Sequence, residues 1–145
     1  MKYLKYFESE SIEDKFYTNE YGISPDELKY FFTDLTDSGW KINIGFHKKL
    51  YKFDVHEPIK PVDITVGFVP YIEVKITKDW DRFGVSIWQA TQYLNDLINS
   101  EEYLEIIDVA AHRLSDSSLF IQRQYIENKQ IHILIYRKTD ENYVK

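Results

Sequence analysis

Apolar residues recur along this chain with two different periods, and the switches between them predict its elements. Leu28, Phe31, Phe32 and Leu35 fall at i, i+3, i+4 and i+7, the spacing that lines one face of a helix. Four start signals precede that stripe: Ser24 as N-cap, Glu27 three residues on, Pro25 at the first helical position, and Ile23 placed to staple onto Leu28. Gly39 offers a left-handed stop, so a helix is predicted over 25–38. The period then drops to two. Ile42, Ile44 and Phe46 share one side of Lys41–His47, and Tyr51, Phe53 and Val55 continue the alternation past Lys48-Lys49, which has the look of a hairpin turn. Val62, Ile64, Val66 and Phe68 alternate after Pro58 and Pro61, and Ile72, Val74 and Ile76 after Pro70, giving two more strands or one kinked strand.

Ser86 with Gln89 repeats the capping box, and Ile87, Ala90, Thr91, Leu94, Leu97 and Ile98 form the apolar side of a second helix ending near Ser100. Glu105–Ala111 is expected as a buried strand, and Leu119–Tyr125 with Gln130–Arg137 as an antiparallel pair across Glu127-Asn128-Lys129. Lys2–Phe7 fits a short strand or a helical turn, and Glu8–Asp14 an acidic connection. The expected fold is α+β: a mainly antiparallel (mixed) sheet of about five to six strands with two helices packed on one face.

Composition narrows the class. With 145 residues and no repeat, low-complexity tract or Gly/Pro/Ser-rich linker, a single domain over 1–145 is expected. Nothing approaches the roughly 18 consecutive apolar residues of a membrane helix, and the first residues lack an export signal, so a cytoplasmic protein without membrane contact is expected. There is no cysteine, which removes disulfides, thiolate nucleophiles and zinc fingers. His47, His56, His112 and His132 show no pair at ligand spacing. Five glycines include neither a phosphate-cradling loop nor a dinucleotide fingerprint, and no nucleophile elbow is present.

The formal charge of −6 argues against general nucleic-acid binding, whose phosphate contacts need a basic surface. Charge is nevertheless uneven, because residues 41–78 hold seven bases against four acids. Lys41, Lys48, Lys49 and Lys52, with Lys60, would blunt an exposed hairpin or form an anion-facing patch able to sequester a small anionic ligand. Aromatic residues make up 17% of the chain, including 12 tyrosines, more than a domain of this size can hide with every hydroxyl satisfied. Some should therefore lie at an interface. The loop Lys78-Asp79-Trp80-Asp81-Arg82-Phe83-Gly84 presents Trp80, Asp81, Arg82 and Phe83 as an interaction surface, unless Trp80 and Phe83 fold back over the core.

Pro61-Val62-Asp63, Glu73-Val74-Lys75 and the helix bearing Gln89 and Gln92 resemble the core of the PD-(D/E)XK nuclease family. The resemblance implies Asp63 and Glu73 on neighbouring strands holding magnesium or manganese, with Lys75 activating water and Gln89 beside them. Composition alone supplies roughly two acid-x-Lys triplets in such a chain. Four occur, and only the one at Glu73 is placed on a strand. Asp63 follows Val62 rather than a proline, and Gln89 already has a capping role.

The opening Met1-Lys2-Tyr3-Leu4-Lys5-Tyr6-Phe7-Glu8, the run Glu27–Leu35 leading to Gly39-Trp40-Lys41-Ile42, and later Tyr71–Ile76 and Gln92–Asn95 resemble small accessory proteins of tailed bacteriophages. That resemblance implies a virus-encoded accessory protein that binds a host or defence-system protein in the infected cell. It transfers no functional residues. Separately, no cofactor is expected, and the sequence is silent on oligomeric state, a homodimer being compatible with it.

Overall fold

The computed structural model describes residues 12–55 and 63–143. The Lys2–Phe7 segment, His56 and Lys60 lie outside the described residues. Five α-helices and four strands follow one another: α1 (Ile12–Tyr21), α2 (Pro25–Phe31), α3 (Thr33–Asp37), β1 (Lys41–Val55), β2 (Asp63–Thr77), α4 (Ile87–Ile98), α5 (Glu101–Asp116), β3 (Leu119–Glu127) and β4 (Gln130–Arg137), with short 3-10 turns at Asp81–Phe83 and Lys138–Tyr143. The fold is α+β, as expected. Among the described residues the sheet has four strands rather than five or six, ordered β1-β2-β4-β3 and antiparallel throughout. Among the described residues five helices stand where two were expected.

The expected elements differ from the observed ones in several places. The predicted 25–38 helix is broken at Phe32, because the Thr33 hydroxyl donates to the Tyr30 carbonyl at 2.9 Å and diverts an acceptor the next turn would use. Residues 12–14 of the expected acidic connection belong to α1. Lys48-Lys49 is not a turn: both lysines sit mid-strand in β1, opposite Pro70 and Val69. Likewise β2 runs unbroken through Pro70, which stands one residue beyond the stretch paired with β4, where a missing N–H is tolerated. The expected strand at Glu105–Ala111 is the middle of α5. Its N-cap is Ser100, whose hydroxyl accepts from the Tyr103 amide at 3.2 Å and donates to the Leu97 carbonyl at 2.7 Å, closing α4 and opening α5 with one side chain.

Where local chemistry was unambiguous, the structure follows it. Ser24 caps α2 with Pro25 at its start, and Ser86 with Gln89 closes both halves of a capping box on α4. Gly39, at φ 94°, ends α3 in a left-handed stop, with the Trp40 amide bonded back to the Leu35 carbonyl at 3.0 Å.

One core holds these parts together. Ile72, Val74 and Ile76 of β2 and Ile131, Ile133 and Ile135 of β4 point to the same side of the sheet and are sealed from solvent by Leu28, Phe32, Leu35, Leu94, Tyr103 and Leu114 of the helical segments. The opposite face carries its own small cluster of Val69, Leu134 and Tyr136, packed with Tyr71, Phe120 and Tyr125. Among the described residues the sheet thus has a helix-covered face and a helix-free face.

Truncating Leu94, which is fully buried, to alanine should cost about 2–5 kcal/mol of stability in urea denaturation. Tyr103 is buried and donates to the Gln124 side chain at 2.6 Å, and burial pushes its phenol well above the ordinary value of 10.0. Because the neutral phenol is favoured in the folded state, its contribution is complete below the unfolded-state value of about 10 and is lost as pH rises above that. Tyr103→Phe should therefore flatten the alkaline fall in stability, read as denaturation midpoints between about pH 9 and 11.

Candidate interaction surfaces

The loop between β2 and α4 divides into a buried half and an exposed half. Trp80 retains only 7% exposure. Its indole N–H lies 2.8 Å from the Lys129 carbonyl and 3.1 Å from Thr77 Oγ1, and its ring meets Trp40 edge-on and stacks on Tyr93. It closes the end of the core, which removes it from the expected interaction surface. Its neighbours stay outside: Phe83 is 74% exposed with the Arg82 guanidinium above its ring at 5.8 Å, and Asp81 is paired with Lys129 at 3.5 Å.

Just beyond Gly84, the first turn of α4 places two more large apolar side chains in solvent, Ile87 at 67% and Trp88 at 69% exposure. Ile87 was expected in the core. Ala90 and Leu94 occupy the buried stripe instead, and Trp88 lies two residues, about 200° of helical turn, from Ala90. An aromatic standing off the stripe was the available signal for this surface. Arg82, Phe83, Ile87 and Trp88 are thus all exposed within seven residues of chain, a set of the composition that dominates protein interfaces.

The lysines expected as one anion-facing patch are dispersed along β1. Lys41 pairs with Thr77 at one end of the strand, Lys48 and Lys49 lie at its middle, and Lys52 stands opposite Val66. Alternation sends neighbouring side chains to opposite faces, so Lys48 joins the helix side and Lys49 the helix-free side. Lys48 is hydrogen-bonded to Glu20 of α1 at 2.7 Å, which holds the Glu20 carboxyl below its ordinary range and raises the Lys48 ammonium. Lys41 lines a separate open groove of about 600 Å³ with Lys29, Tyr30 and Trp40.

The nuclease-like residues are not brought together. Asp63 and Glu73 lie on one strand rather than on neighbouring ones, ten residues apart and so separated by roughly 33 Å of extended chain. Gln89 bonds the Ser86 amide on α4, across the sheet from Glu73. Glu73 is instead tied to Lys75 at 3.3 Å and lies 3.4 Å from Nδ1 of the buried His132. The Glu127 carbonyl, 3.1 Å from Nε2, can only accept, so the ring proton belongs on Nε2. Nδ1 faces the carboxylate at ion-pair distance without making a hydrogen bond. Among the described residues no group of three or more His, Asp or Glu side chains is arranged to hold a metal ion, and no helix is long and apolar enough to cross a membrane.

A groove of about 430 Å³ crosses the helix-free face. Tyr71, Leu134 and Tyr136 line it from the central strands, Lys49 from β1, and Arg123 with Tyr125 from β3. Burial raises the Tyr71 phenol, helped by the Glu73 charge, so it is a neutral hydroxyl at ordinary pH. Sequence reasoning did not assemble this groove, because β2 and β4 become neighbours only through a crossover.

Compared with known protein families, curated proteins and solved structures, the chain finds no match.

The two tryptophans of this region should separate in a stability measurement. Trp80→Phe, which deletes a buried donor and leaves the Lys129 carbonyl without it, should lower stability by about 1–3 kcal/mol. Trp88→Ala should change it by less than about 0.5 kcal/mol, both read from denaturant midpoints.

Proposed function

We propose that this protein works by docking onto another protein, with Arg82, Phe83, Ile87 and Trp88 as the contact, and carries out no chemistry of its own. The observation that supports this reading is the exposure of three large apolar side chains, 67–74% each, within six residues of one loop-helix junction. Among the described residues none of the three joins the core: the buried side of α4 is supplied by Ala90 and Leu94, and Trp80 closes the core beneath. Truncating a tryptophan at the centre of an interface commonly costs 2 kcal/mol or more, whereas its surroundings contribute mainly by excluding water. The likeness to phage accessory proteins directs the reading to a bacterial partner, either a host factor or a component of a defence system.

The test is capture from bacterial lysate by the immobilised protein, followed by affinity measurement on the purified partner. Phe83→Ala combined with Trp88→Ala should weaken that affinity at least tenfold while leaving the thermal midpoint in place. Equal capture by wild type and double variant would sink the proposal. So would a wild-type homodimer in sedimentation that the double variant converts to monomer, since the patch would then serve self-association.

A further inference from the structure

The open groove of about 600 Å³ beside α2 has two walls of different kinds. Trp40, Lys41, Ile42 and Asn43, four consecutive residues at the start of β1, all line it. Side chains of a strand alternate between its faces, so a consecutive run lines one groove only where the main-chain edge of the strand faces it. Among the described residues that edge is unpaired, because β1 ends the order β1-β2-β4-β3. In an antiparallel pair, alternate residues turn both N–H and C=O away from the partner strand. Those of β1 are thus open to a further strand.

The second wall is helical. Asp26, Lys29 and Tyr30 fall at i, i+3 and i+4 on α2, and Thr33 and Thr36 extend the line onto α3. Both helices rest against β1. Trp40 is half-buried and held in place, edge-on to Trp80 with the Lys78 ammonium over its ring at 4.2 Å. Tyr30 stays 67% exposed, with the Arg113 guanidinium 5.7 Å from its ring.

Charge selects what such a slot would hold. Its lining carries two ammoniums, Lys29 and Lys41, against the carboxylate of Asp26, and Lys78 and Arg113 stand over two of its rings. Among the described residues neither Lys29 nor Lys41 forms an ion pair. In a chain of net charge −6 this is a local cationic site.

We propose that the groove takes an extended, acidic peptide segment of another protein, added as a further strand along Trp40–Asn43. An apolar side chain of the segment rests on Tyr30, Trp40 and Ile42, and a carboxylate is directed at Lys29 and Lys41. Main-chain bonds to a strand edge give affinity, and the side-chain wall beside it gives selectivity. Four residues of edge span roughly 13 Å, so a stretch of about four to six residues fills it. The site uses none of the residues assigned to the Phe83–Trp88 contact.

Selection from a random octapeptide library on the immobilised full chain, followed by fluorescence anisotropy with the labelled synthetic winners, tests this. Recovered peptides should alternate apolar residues with Asp or Glu and be poor in Lys and Arg. N-methylation of one set of alternate residues in a winner should weaken binding at least about tenfold and of the other set should leave it unchanged, because only one set faces the edge. Lys29→Glu combined with Lys41→Glu should weaken binding by about tenfold or more. Lys138→Gln, beyond β4 and away from β1, should have no effect, and melting curves would verify that both variants fold. The N-methyl comparison needs no variant of the protein. The proposal is overturned if no peptide is recovered, if winners lack acidic bias, if both N-methylated sets behave alike, or if the double variant binds as wild type does. Displacement of a winner by a synthetic Met1–Ser11 peptide at equal affinity would make the chain's own first residues the occupant. A wild-type dimer that winners dissociate would make it a second copy. Either result overturns the assignment to another protein.

Discussion

Burial of one aliphatic ladder governs the rest of this molecule. Ile72, Val74 and Ile76 from β2 and Ile131, Ile133 and Ile135 from β4 meet across strands that are not consecutive in the chain, and each retains 1% exposure or less. At roughly 1.5–3 kcal/mol per fully buried aliphatic side chain, no hydrogen bond or ion pair on the surface competes with this set. A one-residue slip between β2 and β4 would turn the whole ladder to the other face. The register is therefore fixed, and so is everything the alternate residues present on the helix-free side. The stacking of Tyr71 on Tyr136 is a by-product of the same constraint.

Two surfaces with different chemistry result. On the helix side, α4 spends Ala90 and Leu94 on the core and, among the described residues, leaves Ile87 and Trp88 exposed. On the helix-free side, rings are packed against one another and bordered by cations. The sheet lies between the two, so occupation of one leaves the other accessible.

Much of this was legible from local signals, and the failures share a cause. Capping residues are read from a few neighbours, which is why Ser24, Ser86 and Gly39 placed their helix ends correctly. Lys48-Lys49 looked like a turn because the apolar positions change parity there, from Ile42, Ile44 and Phe46 to Tyr51, Phe53 and Val55. The parity changes where β1 and β2 run on beyond the stretch of β2 that pairs with β4, so one strand carries two patterns. Glu105–Ala111 looked like a strand because Ile106, Ile107 and Val109 are β-branched, yet Tyr103, Ile106, Ala110 and Leu114 follow the helical period and Ser100 caps it. The dispersal of the lysines followed from that same misplaced turn, and the separation of Asp63 from Glu73 from the continuity of β2 through Pro70. The stacking of Tyr71 on Tyr136 could not be foreseen, since the β2–β4 register is a non-local outcome of packing.

The hairpin joining β3 to β4 turns on Asn128 and Lys129, both left-handed, with φ of 52° and 62°. For a lysine that conformation costs about 1–2 kcal/mol, which glycine would relieve. Yet Lys129 also receives the Trp80 indole proton on its carbonyl and extends its ammonium to the Val85 carbonyl at 3.3 Å and to Asp81. A residue chosen for backbone comfort would give up two of those three attachments. The tip of the second hairpin is thereby moored to the threshold of α4, and a tolerable local strain keeps two distant stretches of chain moving as one piece.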